Sequence, residues 1–358
     1  MATIDVLLPV KDGMQFLAHS LDSIRAQSFK DWRLIVLDHG SVDGSRELAQ
    51  AYGEEDRRIE VRSFPDADGL AGLLNRGLDI CDCKFVMRHD ADDIAYPKRM
   101  EQSIAAFGDD PACAVIGGQA DVIDGAGEMT GSLSMPVGRV RVASASLFHN
   151  PIAHPTVMMD FAAIRRFGAR YGIDFLKILP SAQSIEVKNL AEDYFLFGQL
   201  AIRGACNNIP QKLIQYRSHG GNVSTKHSIE QVKVALVISR FLMRSFCALH
   251  DLRYYDPAPF CNHGGRLFEF EGQDMFDREF DAMSAGLLQS LGASPELERE
   301  LAYRRSIATR NAVRLATRHI LFKARHRPEP GEWSTVREWI IGRLLGRNRI
   351  RAMAETNL

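Results

Sequence analysis

The chain has 358 residues, 46% of them apolar and 25% charged, which excludes a disulfide-stapled mini-protein and a disordered or collagen-like segment. A formal net charge of −1 supplies no global field for nucleic acid, which argues against a dedicated DNA-binding protein, and no nucleic-acid partner is expected. The length exceeds what one hydrophobic core usually serves and predicts a large domain with an appendage, or two domains.

The opening MATIDVLLPVKDG carries Asp5 in too short an apolar run for a signal peptide. IDVLLPV reads as a strand, MQFLAHSLDSIRAQS as a helix, RLIVLD as a strand, and SRELAQAYGEE as a helix opened by the loop SVDGS. IEVRSF and KFVMRHD continue as strands with the helix GLAGLLNRGLDIC between them. Strand alternating with helix predicts an α/β fold with a largely parallel sheet covered on both faces. Ligands of such sheets gather beyond the carboxyl ends of the strands, here after Val10, Leu37 and Arg88.

From about 109 to 226 the pattern is mixed: ACAVIGGQADVID and HPTVMMD read as strands and LAEDYFLFGQLAIRG as a helix. Beyond about 228, SIEQVKVALVISRFLMRSFCALHDL, DREFDAMSAGLLQSLG, PELERELAYRRSIATRNAVRLATRHILFKAR and EWSTVREWIIGRLLGRNRIRAM read as helices. A boundary near 226 therefore divides an α/β part, 1–226, from a helical part, 227–358. No stretch reaches the roughly 18 uninterrupted apolar residues of a membrane span. The six cysteines form no C-x-x-C pair and read as reduced thiols of a cytoplasmic protein.

KFVMRHDADDIAYPKRM concentrates the chemistry. Period-two spacing puts Asp90 and Asp92 on one side at the end of a strand. Carboxylates about 5 Å apart repel by about 3 kcal/mol at an effective dielectric near 20, which asks for a positive partner. Mg²⁺ and Mn²⁺ prefer hard oxygen ligands, and Mg²⁺ commonly shares one or two carboxylates with substrate phosphates. An isolated D-x-D is more often a solvated turn or helix cap than a metal site; here Asp90, Asp92 and Asp93 stand at the expected ligand edge, and Pro97 opens a helix.

The segment from IDVLLPVKDG to SVDGS, followed by GLAGLLNRGL and RHDADDIAYPKRM, resembles the family 2 glycosyltransferases, over about residues 3 to 226. The resemblance implies a Rossmann-like GT-A fold, a mostly parallel mixed sheet flanked by helices, here with a C-terminal helical extension. It implies transfer of a sugar from a nucleotide-diphospho-sugar, with UDP as the expected nucleotide, to a hydroxyl of a glycan or lipid-linked glycan precursor.

Residue by residue, the resemblance implies that Pro9 and Val10 lie against the base and that Asp38 contacts base and ribose. His39 stands where the family usually has a second Asp, removing an anionic acceptor for the uracil imide while leaving a neutral ring nitrogen able to accept. Asp68, Gly69 and Asn75 resemble the loop and helix beside the nucleotide, and ordinary turn and cap chemistry accounts equally for the first two. Arg88 suits the family pattern, Asp90 is implied as ribose or metal contact, and Asp92 as the principal metal ligand. The E-D pair implies Asp193 as the base that takes the proton of a poorly nucleophilic sugar hydroxyl, with Glu192 orienting the acceptor or lining the pocket. QYRSHGGNVST resembles the loop that closes over the diphosphate, implying His219 on metal or phosphate and Arg217 adding charge. NPIAHPTVMM resembles an acceptor-side segment with His154. The residues alone leave a retaining route open; the family implies inversion.

EWIIGRLLGRNRI spaces Trp339, Ile340, Leu344 and Leu345 against Arg343, Arg347, Arg349 and Arg351. Three readings stay open: a helix on an anionic membrane surface at the inner face, a homo-dimer contact, or a helix packed on the catalytic domain. A nucleotidyltransferase would need a Gly-rich basic loop after the first strand, and VLLPVKDGMQF offers only Lys11 and one glycine. A non-catalytic nucleotide-sugar-binding scaffold is favoured by His39 alone, and Asp90, Asp92, Glu192 and Asp193 argue against it.

Overall fold

The computed structural model describes residues 2–219, 228–261, 273–309, 311–327, 329 and 332–344. The first predicted strand is β1 (Ile4–Val10), with every residue buried, as a strand covered on both faces requires. It is followed by α1 (Met14–Arg25), β2 (Trp32–Asp38), α2 (Ser45–Glu55), β3 (Ile59–Ser63), α3 (Gly69–Ile80) and β4 (Phe85–Arg88). β1 lies between β2 and β4, parallel to both, and β3 runs parallel to β2. α1 follows its sequence periodicity, turning Phe16, Leu17, Leu21 and Ile24 inward.

The acidic turn after β4 leads into β5 (Ile94–Ala95) and α4 (Arg99–Asp109), then β6 (Val115–Ile123), β7 (Met129–Leu133), α5 (Arg139–Ser146), β8 (Met158–Asp160), α6 (Phe161–Phe167), α7 (Glu192–Ala201) and β9 (Cys206–Arg217). One nine-stranded mixed sheet runs in the order β3-β2-β1-β4-β8-β6-β9-β5, with β7 hairpinned onto β6. β8 enters antiparallel between β4 and β6, so the parallel half is joined to the second half through it.

Three expectations are corrected. Pro97 does not open the helix: α4 begins at Arg99, because that residue and Met100 are the first to turn into the interior. HPTVMMD is not one strand but a 3-10 turn, His154–Thr156, followed by the short β8. The long helical run from 295 breaks in two, because Asn311 caps a new helix by accepting from the Val313 and Arg314 amides.

The boundary near 226 lies outside the described residues. After it come α8 (Ser228–Leu249), α9 (Gln273–Leu291), α10 (Pro295–Ile307), α11 (Ala312–Arg325) and α12 (Glu332–Leu344). α8 to α10 share a core with α7: Tyr194 and Phe195 pack in one cluster with Phe241, Leu242, Phe260 and Leu297. α11 and α12 close over a smaller cluster of Leu315, Phe322, Val336 and Trp339.

Candidate active site

β4 is short, and its last residue, Arg88, is buried although charged. The Arg88 guanidinium donates to the His89 carbonyl and, from Nη2, to Asp90 Oδ1 at 2.5 Å. Arg99, fully buried at the start of α4, donates to the Arg88 carbonyl at 2.6 Å and to His89 Nδ1 at 3.0 Å. Burial, helped by the repulsion of Arg88 and opposed by the carboxylate of Asp93, lowers Arg99 to about 9. His89 is held well below its ordinary value by burial and by both guanidiniums, so its ring is neutral and accepts through Nδ1. This buried cationic knot stiffens the strand end from which the acidic turn departs.

On that turn one carboxylate oxygen each of Asp90, Asp92 and Asp93 lies within 4.8 Å of the others. Asp93 is fully buried, its Oδ1 accepts the Arg217 amide at 2.8 Å, and its Oδ2 has no hydrogen-bond partner. Burial, then repulsion by Asp90 and Asp92, pushes Asp93 well above the carboxylate range, and burial with Asp90 also raises Asp92. His219 Nε2 lies 3.0 Å from Asp92 Oδ2. Its ring packs on Phe16 of α1, and the Arg217 guanidinium lies 4.7 Å from the centre of that phenyl ring. Arg217 also donates to the Asp92 carbonyl at 2.9 Å, so the end of β9 clamps the turn.

Across the cleft, α7 begins with Glu192 and Asp193, where the unpaired amides of a helix N-terminus favour negative charge. Leu190 and Ala191 just before it both hold left-handed backbone, φ +62° and +69°, a strain of about 1–3 kcal/mol each that gathers at functional turns. Glu192 is buried and Asp193 half-buried. Burial and the neighbouring Asp193 push Glu192 up to about 7. Burial also raises Asp193, opposed by the Tyr194 amide, Asn150 and Arg88. Asn150 Nδ2 donates to Asp193 Oδ2 at 2.8 Å. Arg88 and Asp90 are close enough to bias Glu192, so the acidic turn and the E-D pair share one electrostatic environment. Tyr171 sits among them and feels all four charges.

The remaining sequence-selected residues divide. Asp38 is buried at the end of β2; burial acts against its charge, but bonds from Ser41, Ser63 and Gly40 win and lower it. His39 is tied to β1 through its amide and the Val10 carbonyl at 2.9 Å, and its Nε2 lies 3.0 Å from the Ala67 carbonyl. A carbonyl only accepts, so Nε2 carries the hydrogen and Nδ1 is the acceptor of the neutral ring. Pro9 and Val10 end β1 as buried residues beside Leu37 and Asp38. His154 bonds the Tyr171 hydroxyl at 3.1 Å and packs on Phe197; burial and Arg88 hold it well below its ordinary value.

Asp68 and Asn75 stand apart from the acidic turn in what they touch. Asp68 is 69% exposed and pairs with Lys188 at 3.0 Å. Asn75 spends its amide on the Tyr171 backbone, accepting from its N–H and donating to its carbonyl, both at 3.0 Å. Gly69 opens α3 at φ +67°, where a Cβ would strike the Asn189 side chain.

Arg99, Asn150, Tyr171 and Phe16 were not picked out by sequence. Arg99 and Asn150 lie inside quoted motifs, but their partners are set by chain folding rather than spacing.

A parallel sheet with an acidic turn at the carboxyl edge of its fourth strand, continued by an antiparallel half that carries a second acidic pair, is the GT-A fold of nucleotide-sugar transferases. The profile described as Glycosyl transferase family 2 matches residues 5–169. Residues 5–169 are therefore a glycosyltransferase family 2 domain. It is 27% identical over 245 residues to an uncharacterized glycosyltransferase of Haemophilus influenzae, covering 66% of this chain and 72% of that one. Among solved structures it is similar to S. aureus TarS 1-349 in complex with UDP-GlcNAc, at 13% identity and TM-score 0.49, covering 96% and 92% of the two chains. It is also similar to the mannosyltransferase PcManGT of Pyrobaculum calidifontis in complex with GDP-Man and Mn²⁺, at 15% identity and TM-score 0.48, covering 98% and 88%.

Proposed function

We propose that the chain transfers a sugar from a UDP-sugar to a hydroxyl of a cell-surface glycan precursor, with inversion and with a divalent cation, Mn²⁺ or Mg²⁺. The observation that carries this reading is the shared environment of Arg88, the Asp90–Asp92–Asp93 turn and the Glu192–Asp193 pair. Three carboxylates gathered within 4.8 Å, one with an unpartnered buried oxygen, fit a hard cation that would relieve their repulsion. Asp92 and Asp90 would hold it, with His219 beside Asp92 completing the set. When bound, such an ion supplies charge that stabilises a departing diphosphate.

The protein's own groups then divide the work. Asp193, half-buried and oriented by Asn150, takes the proton of the acceptor hydroxyl as it attacks the anomeric carbon. Its raised affinity for protons suits a base operating near neutrality. Glu192 lines the same pocket and, being buried, shapes it rather than meeting solvent. Asn75 and His154 fix Tyr171 between the two acidic groups. On the nucleotide side Asp38 is preoriented at the end of β2, and the Nδ1 acceptor of His39 suits the imide N–H of uracil. A single base opposite the leaving group gives inversion. The α/β part with its helical extension is proposed to act as one catalytic unit through the core that α7 shares with α8 to α10.

The test is release of nucleoside diphosphate from a panel of UDP-, GDP- and dTDP-sugars, with Mn²⁺, Mg²⁺ or chelator. Release from a UDP-sugar that needs the cation supports the reading; release that is indifferent to chelator, or confined to a purine donor, overturns the cation or the uridine assignment respectively.

A further inference from the structure

Among the described residues, α11 carries a covered apolar face and an exposed one, and α12 a covered face and an exposed apolar flank. The inner face of α11 seats Leu315 and Phe322, and that of α12 seats Val336 and Trp339. At 100° per residue, 313, 320 and 321 of α11 fall opposite its inner face, whereas 333 and 344 of α12 lie about 60–80° and 341 about 140° from Val336, so they form a flank of that helix, where Trp333 also stacks on His319. There Val313 is 71% exposed, Ile320 61%, Leu321 55%, Trp333 44%, Ile341 46% and Leu344 69%. Isolated exposed apolar side chains are ordinary, but two periodic rows on packed neighbours are a surface. Lys323 joins them, its Nζ 4.7 Å from the Trp333 ring centre.

The charges are sorted as well. Glu329 and Glu332 turn inward, Glu329 to Arg141 and Glu332 to Arg299. Lys323, Arg325 and Arg337 stay exposed beside the apolar rows. No described helix is long and apolar enough to cross a membrane, so this surface has no spanning role.

We propose that the outer face of α11 and the exposed flank of α12 form one docking surface for an anionic lipid bilayer, the apolar rows entering the headgroup boundary and the flanking cations meeting lipid phosphates. Apolar side chains with an interfacial tryptophan and a rim of Lys and Arg are what such a boundary accepts. A two-fold contact with a second copy would set the same patch against itself and bring like charges together. Nucleic acid would leave the apolar rows uncompensated. The proposal goes beyond the transfer reaction and does not depend on it, although a bilayer is where a lipid-linked acceptor would be met.

The experiment is co-sedimentation of the full chain with vesicles of phosphatidylcholine, with and without phosphatidylglycerol, at low and raised salt. Wild type is expected to bind only the anionic vesicles and to be released by salt. The double variant Lys323→Glu/Arg325→Glu, and separately Ile320→Glu/Leu321→Glu, should each lower the bound fraction relative to free by about tenfold or more. Metal-dependent donor hydrolysis in free solution should stay unchanged in both, which shows that they fold and separates this test from that of the reaction. Binding that is absent, equal on neutral vesicles, or kept by both variants overturns the proposal. So does a wild-type dimer that Ile320→Glu/Leu321→Glu turns into monomer without vesicle binding, which would assign the face to a second copy.

Discussion

Arg304 donates from Nη2 to His149 Nδ1 at 2.8 Å, across 155 residues of chain. The next residue, Asn150, donates to Asp193, so α10 braces the loop that orients the proposed base. Arg304 is itself buried and paired with Glu300 one turn earlier at 2.7 Å. Burial opposes the Glu300 charge, but the Arg304 and Arg141 guanidiniums overcome it and hold Glu300 down at about 2. Removing one partner of a buried pair strands the other, so Arg304→Met should destabilise by about 3–5 kcal/mol. Arg304→Met with Glu300→Leu should recover much of that loss. Thermal unfolding of both variants checks the order. A folded-state value of about 2 lies below the ordinary 4.5, so the Glu300 contribution is present above about pH 4.5 and lost as pH falls through 2. The double variant should therefore be less acid-sensitive than wild type.

Asn150 offers a cleaner probe of catalysis, because its bond favours the ionised form of Asp193. Asn150→Ala should raise the proton affinity of Asp193, move the acidic limb of the kcat profile to higher pH and lower kcat by about tenfold near neutrality. KM for the donor should stay near wild type. Asn150→Asp keeps an oxygen for the Ile152 amide that Asn150 Oδ1 now accepts from, so loop folding is preserved while a like charge faces Asp193. Its limb should move further in the same direction. A fall in kcat with no change in the pH profile would assign Asn150 to loop structure alone.

Much of this site was legible because its acids are neighbours in sequence. Asp90, Asp92 and Asp93 share one turn, Glu192 and Asp193 share one, and a parallel sheet announces itself through uninterrupted runs such as IDVLLPV and RLIVLD. β9 was not legible: CNNIPQKLIQYR mixes a proline with polar residues, and its register against β6 shifts around Gly117 to Ala120, breaking the alternation that marks a strand. Arg99 follows Lys98 with no local sign of burial, and it is the Arg88 carbonyl and the His89 ring that hold it in the interior. Asn150 meets Asp193 through the packing of α5 against α7, a contact with no local signature. The roles expected of Asp68 and Asn75 came from motif order, and the contacts they make, with Lys188 and Tyr171, belong to tertiary structure.

Glu192 makes a stability prediction independent of any substrate. Its folded value of about 7 lies above the ordinary 4.5, so the folded state binds the extra proton between those limits. The stability it contributes is full below about pH 4.5 and lost as pH rises through 7. Glu192→Gln keeps the shape and cannot ionise. It should match wild type near pH 4 and exceed it by on the order of 2 kcal/mol near pH 8, read from denaturant unfolding at each pH. Equal stability at both ends would mean that Glu192 is solvated as an ordinary carboxylate.

Asp92 and Asp193 should fail in different ways, and the contrast tests the division of labour between the two acidic groups. Asp92→Asn keeps the His219 contact sterically but removes a charge from the cluster, so the rise in Tm that Mn²⁺ gives together with a UDP-sugar should vanish. Donor hydrolysis should vanish with it. Asp193→Asn lies on α7, away from that turn, and retains a carbonyl oxygen for Asn150 to bond. It should keep the full Mn²⁺-dependent Tm shift while transfer to an acceptor falls by about 10²–10⁴-fold, the usual worth of a positioned base. If Asp193→Asn transferred sugar at the wild-type rate, Glu192 would be the remaining carboxylate at the head of α7, and the pH dependence of Glu192→Gln turnover would then decide between base and pocket wall.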